Sequence, residues 1–345
     1  MGVYLTPIIV KKILNLRDIK GKSLAVDANN YLYQFLALIR MPNGTPLHDS
    51  EGNITSHLAG LMFRSTRLIR EYDISLTFVF DGEPPSLKMR EIAKRRELRE
   101  VASQQWQKAL QKGDYATAFS KAVTSSRLTR PMIEDAKRLL HLMGIPFVQA
   151  PSEAEAQCAH IALKGDVWAA SSKDYDSLLF GAPRLLRYLT ISGREFLPSK
   201  GISRPLKPEL IDLNECLKHW RISREELIEL SLLVGTDFNE GLKGIGPKKA
   251  LGLIQEYHRI ENLPEEIRSK ISKQNYEEAR HFFLQPKVIN DYTLEYGALL
   301  EDQLYNFLCE ERGFSRERVT TVVQRMREFY AVKSQAKLKE WFTHD

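Results

Sequence analysis

The fold that we predict is decided by APSEAEAQCAHIALKGDVWAASSKDYDSLLFG, residues 150–181. Its pattern indicates a helix, then a short buried strand over residues 167–171, then a loop. Around the apolar run stand four acids: Glu153, Glu155, Asp174 and Asp176. In open α/β sheets the ligand site lies beyond the carboxyl ends of the strands. The two aspartates that follow the strand are therefore predicted to lie in such a site.

The two glutamates also have a structural interpretation. Ser152 is predicted to cap the helix, which places Glu153 and Glu155 in the first helical turn. Ser152 and Glu155 have the spacing of a capping box, and acids are favourable at a helix N-terminus. A capping role for these acids is thus the alternative to a functional one.

Two earlier segments also place an acid at the end of a strand. SLAVD, residues 23–27, ends in Asp27, and LTFVF, residues 76–80, is followed by Asp81. Helical patterns separate these apolar strands, as expected for a mostly parallel α/β sheet flanked by helices. Repetition of the arrangement favours a shared site over three unrelated solvated acids.

The chain is predicted to form one domain with a projecting helical part. SLKMREIAKRRELRE, which begins at Ser86, carries six basic residues against three Glu, and Gly113 breaks the helical pattern that follows. Edge strands are predicted over residues 185–189 and 194–197. The predicted divisions are the domain itself (1–330), its N-terminal part (1–85), a helical arch (86–130), an acidic part (131–200), a helical region (208–330) and a flexible tail (331–345).

Composition indicates a cytoplasmic protein of ordinary hydrophobicity. The apolar fraction is 43% of 345 residues, and no apolar run approaches the roughly 20 residues that span a bilayer. MGVYLTPIIVKK lacks the order of a signal peptide. Three widely spaced cysteines favour a reducing compartment. A net charge of +6 is compatible with a polyanionic partner.

Seven acids are predicted to share one metal site. Bare carboxylates would repel one another in a common pocket, and oxygen ligands favour Mg²⁺ or Mn²⁺. No histidine accompanies them, which argues against zinc. Two ions about 4 Å apart would activate water and stabilise the leaving oxygen of a phosphodiester. The acids are Asp27, Asp81, Glu153, Glu155, Asp174, Asp176 and Asp237.

A glycine-rich turn follows Asp237. GLKGIGPKKA, residues 241–250, allows a tight turn with outward amides, and Pro247 opens a helix at its first position. Helix N-terminal amides bind phosphate. The pattern is typical of a helix–hairpin–helix contact with DNA, and an ordinary glycine turn is the alternative. The predicted DNA-binding residues are Lys243, Gly244, Gly246, Lys248 and Lys249.

Together these motifs resemble the flap endonuclease family, within the larger group that includes the excision-repair nuclease XPG. The end of the chain, without a basic tail, is more similar to archaeal members, and a eukaryotic protein would be nuclear. The matching segments run in the family's order: MGV (1–3), VDANNYLYQFL (26–36), FVFDGEPP (78–85), APSEAEAQ (150–157), KDYDSLLFGAPR (173–184) and LVGTDFNEGLKGIGPKKA (233–250).

The resemblance implies a monomeric, two-metal nuclease with a PIN-like core. Such an enzyme removes 5′ flaps, with 5′ exonuclease activity, in Okazaki fragment maturation and DNA repair. The family's metal ligands correspond to the seven acids, with Asp81 and Asp174 also counted as catalytic. A monovalent cation at the hairpin is implied as well. Because Gly241 stands where eukaryotic members have Ser, that ion would be held by carbonyls alone.

Other family roles are implied for residues outside the acid cluster. Lys88 and Arg95 correspond to the catalytic cations at the arch base, and Tyr33 to a base-stacking residue. The 3′-flap pocket corresponds to Arg40 and Thr55. Lys88 and Arg95 are seven apart and share a helical face, where they could offset charge on the scissile phosphate. A solvated helix, and for Tyr33 a core aromatic, are the alternatives.

The last residues resemble the peptide with which the family binds a sliding clamp, the PCNA-type ring. Leu338, Trp341 and Phe342 have helical i, i+3 and i+4 spacing, and Gln335 lies one turn earlier. A last helix packed on its own domain is the alternative.

Two other functions compete with the 5′ nuclease. A small-substrate phosphatase could use the same carboxylates, but it would not need the hairpin or the basic helices. A non-catalytic protein that binds DNA junctions would not need seven acids.

Overall fold

A seven-stranded sheet forms the centre of the protein. The computed structural model describes residues 2–41, 44–189, 193–197, 202–271 and 273–342, and their side chains except those of residues 193–197, 202–205, 273–275 and 336–342. Across the sheet the strands are β1 (Lys12–Ile13), β9 (Glu209–Asp212), β6 (Arg184–Arg187), β5 (Ala169–Ser171), β2 (Ser23–Asp27), β3 (Ser75–Phe80) and β4 (Phe147–Gln149). A separate ribbon pairs β7 (Gly193–Leu197) with β8 (Ile202–Leu206).

The sheet is mostly parallel, which confirms the predicted α/β fold class. β2, β3, β4, β5 and β6 run parallel to their neighbours, and only β9 pairs antiparallel, with both β6 and β1. The carboxyl ends of the parallel strands therefore meet at one edge. This geometry gathers the residues that follow β2, β3 and β5.

Hydrophobic side chains bury both faces of the sheet. In β2, Leu24 and Val26 point into one core and Ala25 into the other, because successive side chains alternate. The first face is covered by α1 (Ala28–Leu38), α2 (Ser56–Tyr72), α5 (Arg130–Leu142) and α14 (Arg316–Phe342). The second is covered by α6 (Ala154–Leu163), α8 (Leu213–Trp220), α9 (Arg224–Val234) and α10 (Pro247–Tyr257).

A pair of helices between β3 and α5 has a small buried face. These are α3 (Met89–Gln111) and α4 (Tyr115–Thr124), joined at Gly113, whose φ is +69°. The buried positions are alanines, which lets the two helices approach closely: Ala102, Ala109, Ala118 and Ala122. The small apolar face explains the weak periodicity of this part of the sequence.

The remaining helices complete the C-terminal half. They are α7 (Asp176–Leu179), α11 (Glu265–Arg268), α12 (Lys273–Leu284) and α13 (Glu301–Tyr305). Within the described ranges, no helix combines the length and the apolar character that crossing a bilayer requires.

Two features differ from the prediction. The strand predicted at an edge over residues 185–189 is β6, which is internal, because the short strand β9 covers it. β9 has only four residues after Pro208, too few to show a period. The described backbone of α14 continues to Phe342, whereas we predicted a flexible tail from residue 331. Residues 331–342 contain no Gly or Pro and are rich in helix formers.

Candidate active site

Two asparagines connect three of the strand-end acids. β2 ends in Asp27, whose side chain caps α1 by accepting the N–H of Asn30 at 2.9 Å. Asn29 Nδ2 donates to Asp81 at 2.7 Å, and Asn30 Nδ2 donates to Asp174 at 2.9 Å. The structure therefore brings Asp27, Asp81 and Asp174 together at the carboxyl edge of the sheet.

Ser172, the first residue after β5, connects a fourth acid to this group. Its hydroxyl donates to Glu155 at 2.8 Å and lies 3.4 Å from Asp27. The Ser172 oxygen also accepts the backbone N–H of Asp174 at 3.2 Å. One buried serine thus holds acids that come from β2, α6 and the loop after β5.

The N-terminal segment closes one side of the cluster at Asp176. The backbone N–H of Val3 donates to Asp176 Oδ1 at 2.7 Å. A Cβ atom on Gly2 would lie 2.5 Å from the same carboxylate. A larger residue at position 2 would therefore displace this acid.

The other two acids pair with cations at the base of α3. Lys88 Nζ bonds Glu153 and lies 3.7 Å from Asp237, and Arg95 Nη2 donates to Asp237 at 2.6 Å. Arg95 Nε is held by Glu91 at 2.9 Å. Burial lowers the pKa of Lys88, but the neighbouring carboxylates outweigh this effect and raise the pKa above its usual range. Both cations thus face the acid cluster and are only partly exposed to solvent.

Burial and the charges of neighbouring acids raise the pKa values of five of the acids: Asp27, Glu153, Glu155, Asp174 and Asp176. For Asp27 burial is the larger cause and the charge of Asp81 the next. For Glu155 the corresponding causes are burial and Asp176. Burial, followed by the charge of Asp237, raises the pKa of Asp176 to about 8. Acids crowded in this way are ionised together only when cations offset their charge.

The donor set fits a hard divalent cation. All seven groups are carboxylates, and oxygen ligands suit Mg²⁺ and Mn²⁺. Among the described residues, no three His, Cys, Asp or Glu side chains are already arranged so that they could hold a metal ion. Lys88 and Arg95 hold Glu153 and Asp237 instead. The cluster has the right chemistry and charge for metal, with two of its acids engaged by protein cations.

The predicted capping box at the start of α6 is wrong. Glu153, and not Ser152, is the residue that precedes the helix, and it makes no side-chain capping bond. The carboxylate of Asp81 accepts the N–H of Ala154 at 2.8 Å in that role. Glu155 accepts from the serine after β5, so neither glutamate serves as a cap.

The hairpin between α9 and α10 exposes all five of its predicted DNA-binding residues. Gly244 has φ +84°, and Pro247 occupies the first position of α10. A Cβ atom on Gly241 would lie 2.1 Å from the carbonyl oxygen of Val234, so the turn excludes a side chain there. The exposed residues are Lys243, Gly244, Gly246, Lys248 and Lys249.

Tyr33 lies beside the arch rather than in the core. Its ring is partly exposed, and the guanidinium of Arg99 lies 5.4 Å from the ring centroid. Arg99 therefore belongs to the same surface, although the sequence analysis did not select it.

Arg40 and Thr55, the predicted 3′-flap residues, differ in accessibility. Arg40 is partly buried, donates to the carbonyl of Gly44 at 2.6 Å, and bonds the hydroxyl of Ser126. The side chain of Thr55 is 3% exposed. As placed, only Arg40 offers surface to a ligand, and the pocket stays a prediction.

The predicted clamp peptide is described only in part. Gln335 is exposed on α14. Leu338, Trp341 and Phe342 have side chains outside the described residues, so their role stays a prediction.

Sequence reasoning missed the polar residues that hold the acids. Asn29 and Asn30 occupy the first turn of α1 directly after Asp27, and Ser172 directly follows the buried strand β5. Polar side chains at those places were the available signal, because a buried polar group requires a partner.

Two regions of the chain match described protein domains. Residues 1–102 match the XPG N-terminal domain, and residues 144–237 match the XPG I-region. The acids from Asp27 to Asp237 fall within these two regions.

Several archaeal proteins are similar over nearly the whole chain. Flap endonuclease 1 of Pyrococcus horikoshii is 47% identical over 343 residues, which cover 99% of this chain and 98% of that protein. The Pyrococcus furiosus protein of the same name is 48% identical over 346 residues and 99% of both chains.

Solved structures give the same relationship. The flap endonuclease-1 structure from Methanococcus jannaschii has a TM-score of 0.75 and 40% identity, and the match covers 96% of this chain and 100% of that one. The catalytic core of Rad2 in complex with DNA substrate shares the fold, with a TM-score of 0.68, 24% identity, and coverage of 94% of this chain and 100% of that chain.

Proposed function

Because this chain belongs to the flap endonuclease family, and is therefore a structure-specific, divalent-metal-dependent nuclease that cleaves DNA, we propose how its residues perform the reaction. The substrate is a 5′ flap, cut at its junction with the duplex, and shorter 5′ ends are removed as an exonuclease does. Replication and repair are the processes that produce such substrates. The proposal is carried by one observation: acids from distant segments gather at one edge of the sheet, and two of them, Glu153 and Asp237, pair with the arch-base cations.

The acids are proposed to hold two Mg²⁺ ions, with Mn²⁺ as a substitute. Ions bound there supply activation of the attacking water and stabilisation of the leaving oxygen. Asn29, Asn30 and Ser172 orient the acids that would bind them. Outer groups that hydrogen-bond to metal ligands fix the orientation of those ligands and strengthen metal binding.

Lys88 and Arg95 are proposed to exchange their carboxylate partners for the scissile phosphate when both metal and DNA are bound. In the free protein they neutralise Glu153 and Asp237. If Glu153 and Asp237 were to hold the ions, both cations would become available to the scissile phosphate. There they would stabilise the charge that develops in the transition state.

The unpaired strand is proposed to pass beside α3 and α4. Tyr33 would stack on a base, a contact worth about 1–3 kcal/mol, with the guanidinium of Arg99 beside it. Arg40 and Thr55 remain the proposed site for a 3′ flap. At the hairpin, a monovalent cation would rest on backbone carbonyls, because Gly241 has no side chain and no room for one.

A labelled 5′-flap duplex tests the function. We expect cleavage near the junction with Mg²⁺ and none with EDTA. Tight binding without cleavage in Mg²⁺ would instead favour a junction-binding protein. Hydrolysis of small phosphate esters without cleavage of the flap would favour a phosphatase.

The hairpin lysines are expected to bind the duplex backbone. Replacing Lys248 and Lys249 with Ala should weaken flap binding for every sequence and lower the slope of log K against log salt by roughly 2, since each phosphate contact contributes about 0.9. Fluorescence anisotropy over a salt series measures this. Lys218 and Lys270, two exposed lysines outside the hairpin, provide the matched Ala control. An unchanged slope in the hairpin variant would remove the hairpin from the DNA interface.

The C-terminal peptide is proposed to bind a PCNA-type clamp. Trp341→Ala with Phe342→Ala should weaken clamp binding at least about 30-fold, because aromatic anchors contribute about 2 kcal/mol or more. Calorimetric titration with the clamp measures it. Flap cleavage without the clamp should not change.

The matched control for the clamp test is Val332→Ala, an exposed apolar residue earlier on α14. If the double variant melts several degrees lower and binds the clamp as before, the peptide is part of the core instead.

A further inference from the structure

Arg187 is a buried cation that the reaction, as described above, does not use. It is the last residue of β6, and its side chain is buried, with the residue 6% exposed. Because β6 runs parallel to β5, Arg187 lies at the same edge of the sheet as the acids. A buried guanidinium is stable only when its donors are satisfied and its charge is offset.

The guanidinium of Arg187 makes hydrogen bonds from all three of its nitrogens. Nε donates to the carbonyl of Lys173 at 2.8 Å, and Nη1 donates to the Tyr175 hydroxyl at 2.6 Å. Nη1 also bonds Glu209 at 3.0 Å, and Nη2 donates to the Tyr188 hydroxyl at 2.9 Å. Its central carbon lies 4.0 Å from the ring centroid of Tyr175.

Two of these partners flank Asp174 in the chain. Arg187 holds Lys173 by its backbone and Tyr175 by both its hydroxyl and its ring. The backbone between them has little freedom, and the Asp174 carboxylate meets Asn30 at 2.9 Å. The residue that follows this clamped segment is Asp176.

The network is anchored on the far side by the sheet. Glu209, in β9, accepts from Arg187 and also bonds Lys11. The Tyr175 hydroxyl is bonded to Thr6 at 3.1 Å. The acid-bearing loop is thereby connected through Arg187 to the N-terminal segment and to an internal strand.

We propose that Arg187 is a positioning residue for the metal site, which fixes the loop of residues 172–176 so that Asp174 and Asp176 are presented to the ions. This inference rests on the proposed function. A lysine would keep the charge, but its single ammonium cannot make the fork of bonds that a planar guanidinium makes. Loss of a group that orients metal ligands reduces metal affinity or activity about 10–100-fold.

Arg187→Lys tests the role with two measurements. We expect the Mg²⁺ concentration for half-maximal flap cleavage to rise at least about 10-fold. Mn²⁺ binding without DNA, followed by electron paramagnetic resonance, should weaken by a similar factor. Flap binding in Ca²⁺ should not change, since the phosphate contacts are intact.

Arg280→Lys is the matched control. Arg280 is also largely buried and paired with an acid, Glu229, but it joins α9 to α12 away from the acid cluster. The Arg280→Lys variant should have a lower melting temperature but an unchanged Mg²⁺ dependence of flap cleavage. If Arg187→Lys shows the metal dependence and Mn²⁺ affinity of Arg280→Lys, Arg187 is merely structural and the proposal is overturned.

Tyr175→Phe is the second test variant, and it carries the test if Arg187→Lys fails to fold. It removes only the hydroxyl that Arg187 and Thr6 contact. We expect weaker Mn²⁺ binding, with a smaller change than in Arg187→Lys, and unchanged affinity would contradict the proposal. Failure of the wild type to cleave flaps with Mg²⁺ would overturn the proposed function itself, whereas an active wild type with unaltered variants would overturn only the positioning role.

Discussion

Asp81→Asn and Asp174→Asn are each expected to reduce flap cleavage by at least about 100-fold while flap binding is kept. Asparagine has the shape of aspartate and keeps an oxygen for the N–H of Ala154 or the amide of Asn30, which these acids accept in the native protein. The substitution removes the negative charge with which the aspartate would bind metal. The phosphate contacts remain, so the variants should bind the flap and fail at hydrolysis.

Single-turnover cleavage at saturating Mg²⁺ separates this effect from weak substrate binding. Asp212→Asn is a matched control, because Asp212 also accepts a backbone N–H at the start of a helix, that of Glu215 at 3.1 Å, but lies outside the cluster. It should cleave at the native rate. A near-native rate for Asp81→Asn or Asp174→Asn would exclude that residue from the metal site.

The placement of the strand-end acids could be predicted because it depends on short-range patterns. SLAVD and LTFVF are apolar runs bounded by polar residues, and the parallel sheet that they imply has one carboxyl edge. The structure places Asp27 and Asp81 at that edge, and hydrogen bonds connect them to Asp174 through the two asparagines. The placement of these acids could thus be predicted without knowledge of side-chain contacts.

Contacts between distant segments could not be predicted in the same way. Asp81 caps α6 from 73 positions away, and Lys88 reaches Glu153 across 65. Ser152 has the local spacing of a cap, but the tertiary fold supplies a better acceptor. Local propensity is overridden when a carboxylate from a distant segment, here that of Asp81, can satisfy both a helix terminus and a neighbouring amide.

The internal position of β6 was missed for a related reason. β9 is short and contains Glu209, and a charged residue is not expected in a buried strand. Glu209 is nevertheless buried, because Arg187 and Lys11 bond it. The ion pair between Glu209 and Arg187 explains why β9 could not be predicted as a buried strand, and the same pair supports the positioning role of Arg187.

Lys88→Met is expected to have two large and separable effects. With saturating Mg²⁺, flap cleavage should fall about 100-fold, because a cation directed at the reacting phosphate is lost. Without metal, the protein should lose about 3–5 kcal/mol of stability, because Glu153 is left buried without its partner. Methionine keeps the length and most of the apolar contacts of lysine, so the charge is the main change.

The dependence of this stability loss on metal tests the proposed exchange of partners. If Mg²⁺ takes over the carboxylates that Lys88 neutralises, thermal unfolding in excess Mg²⁺ should recover most of the loss seen in EDTA, while cleavage stays low. Lys12→Met is the control, because Lys12 pairs with Glu215 at 2.6 Å on the surface, and it should change neither quantity. Glu153 is 7% exposed, and a carboxylate buried to that degree without a partner destabilises the folded protein. Equal melting temperatures of Lys88→Met and the native protein in EDTA would therefore show that Lys88 does not offset the charge of the acid cluster.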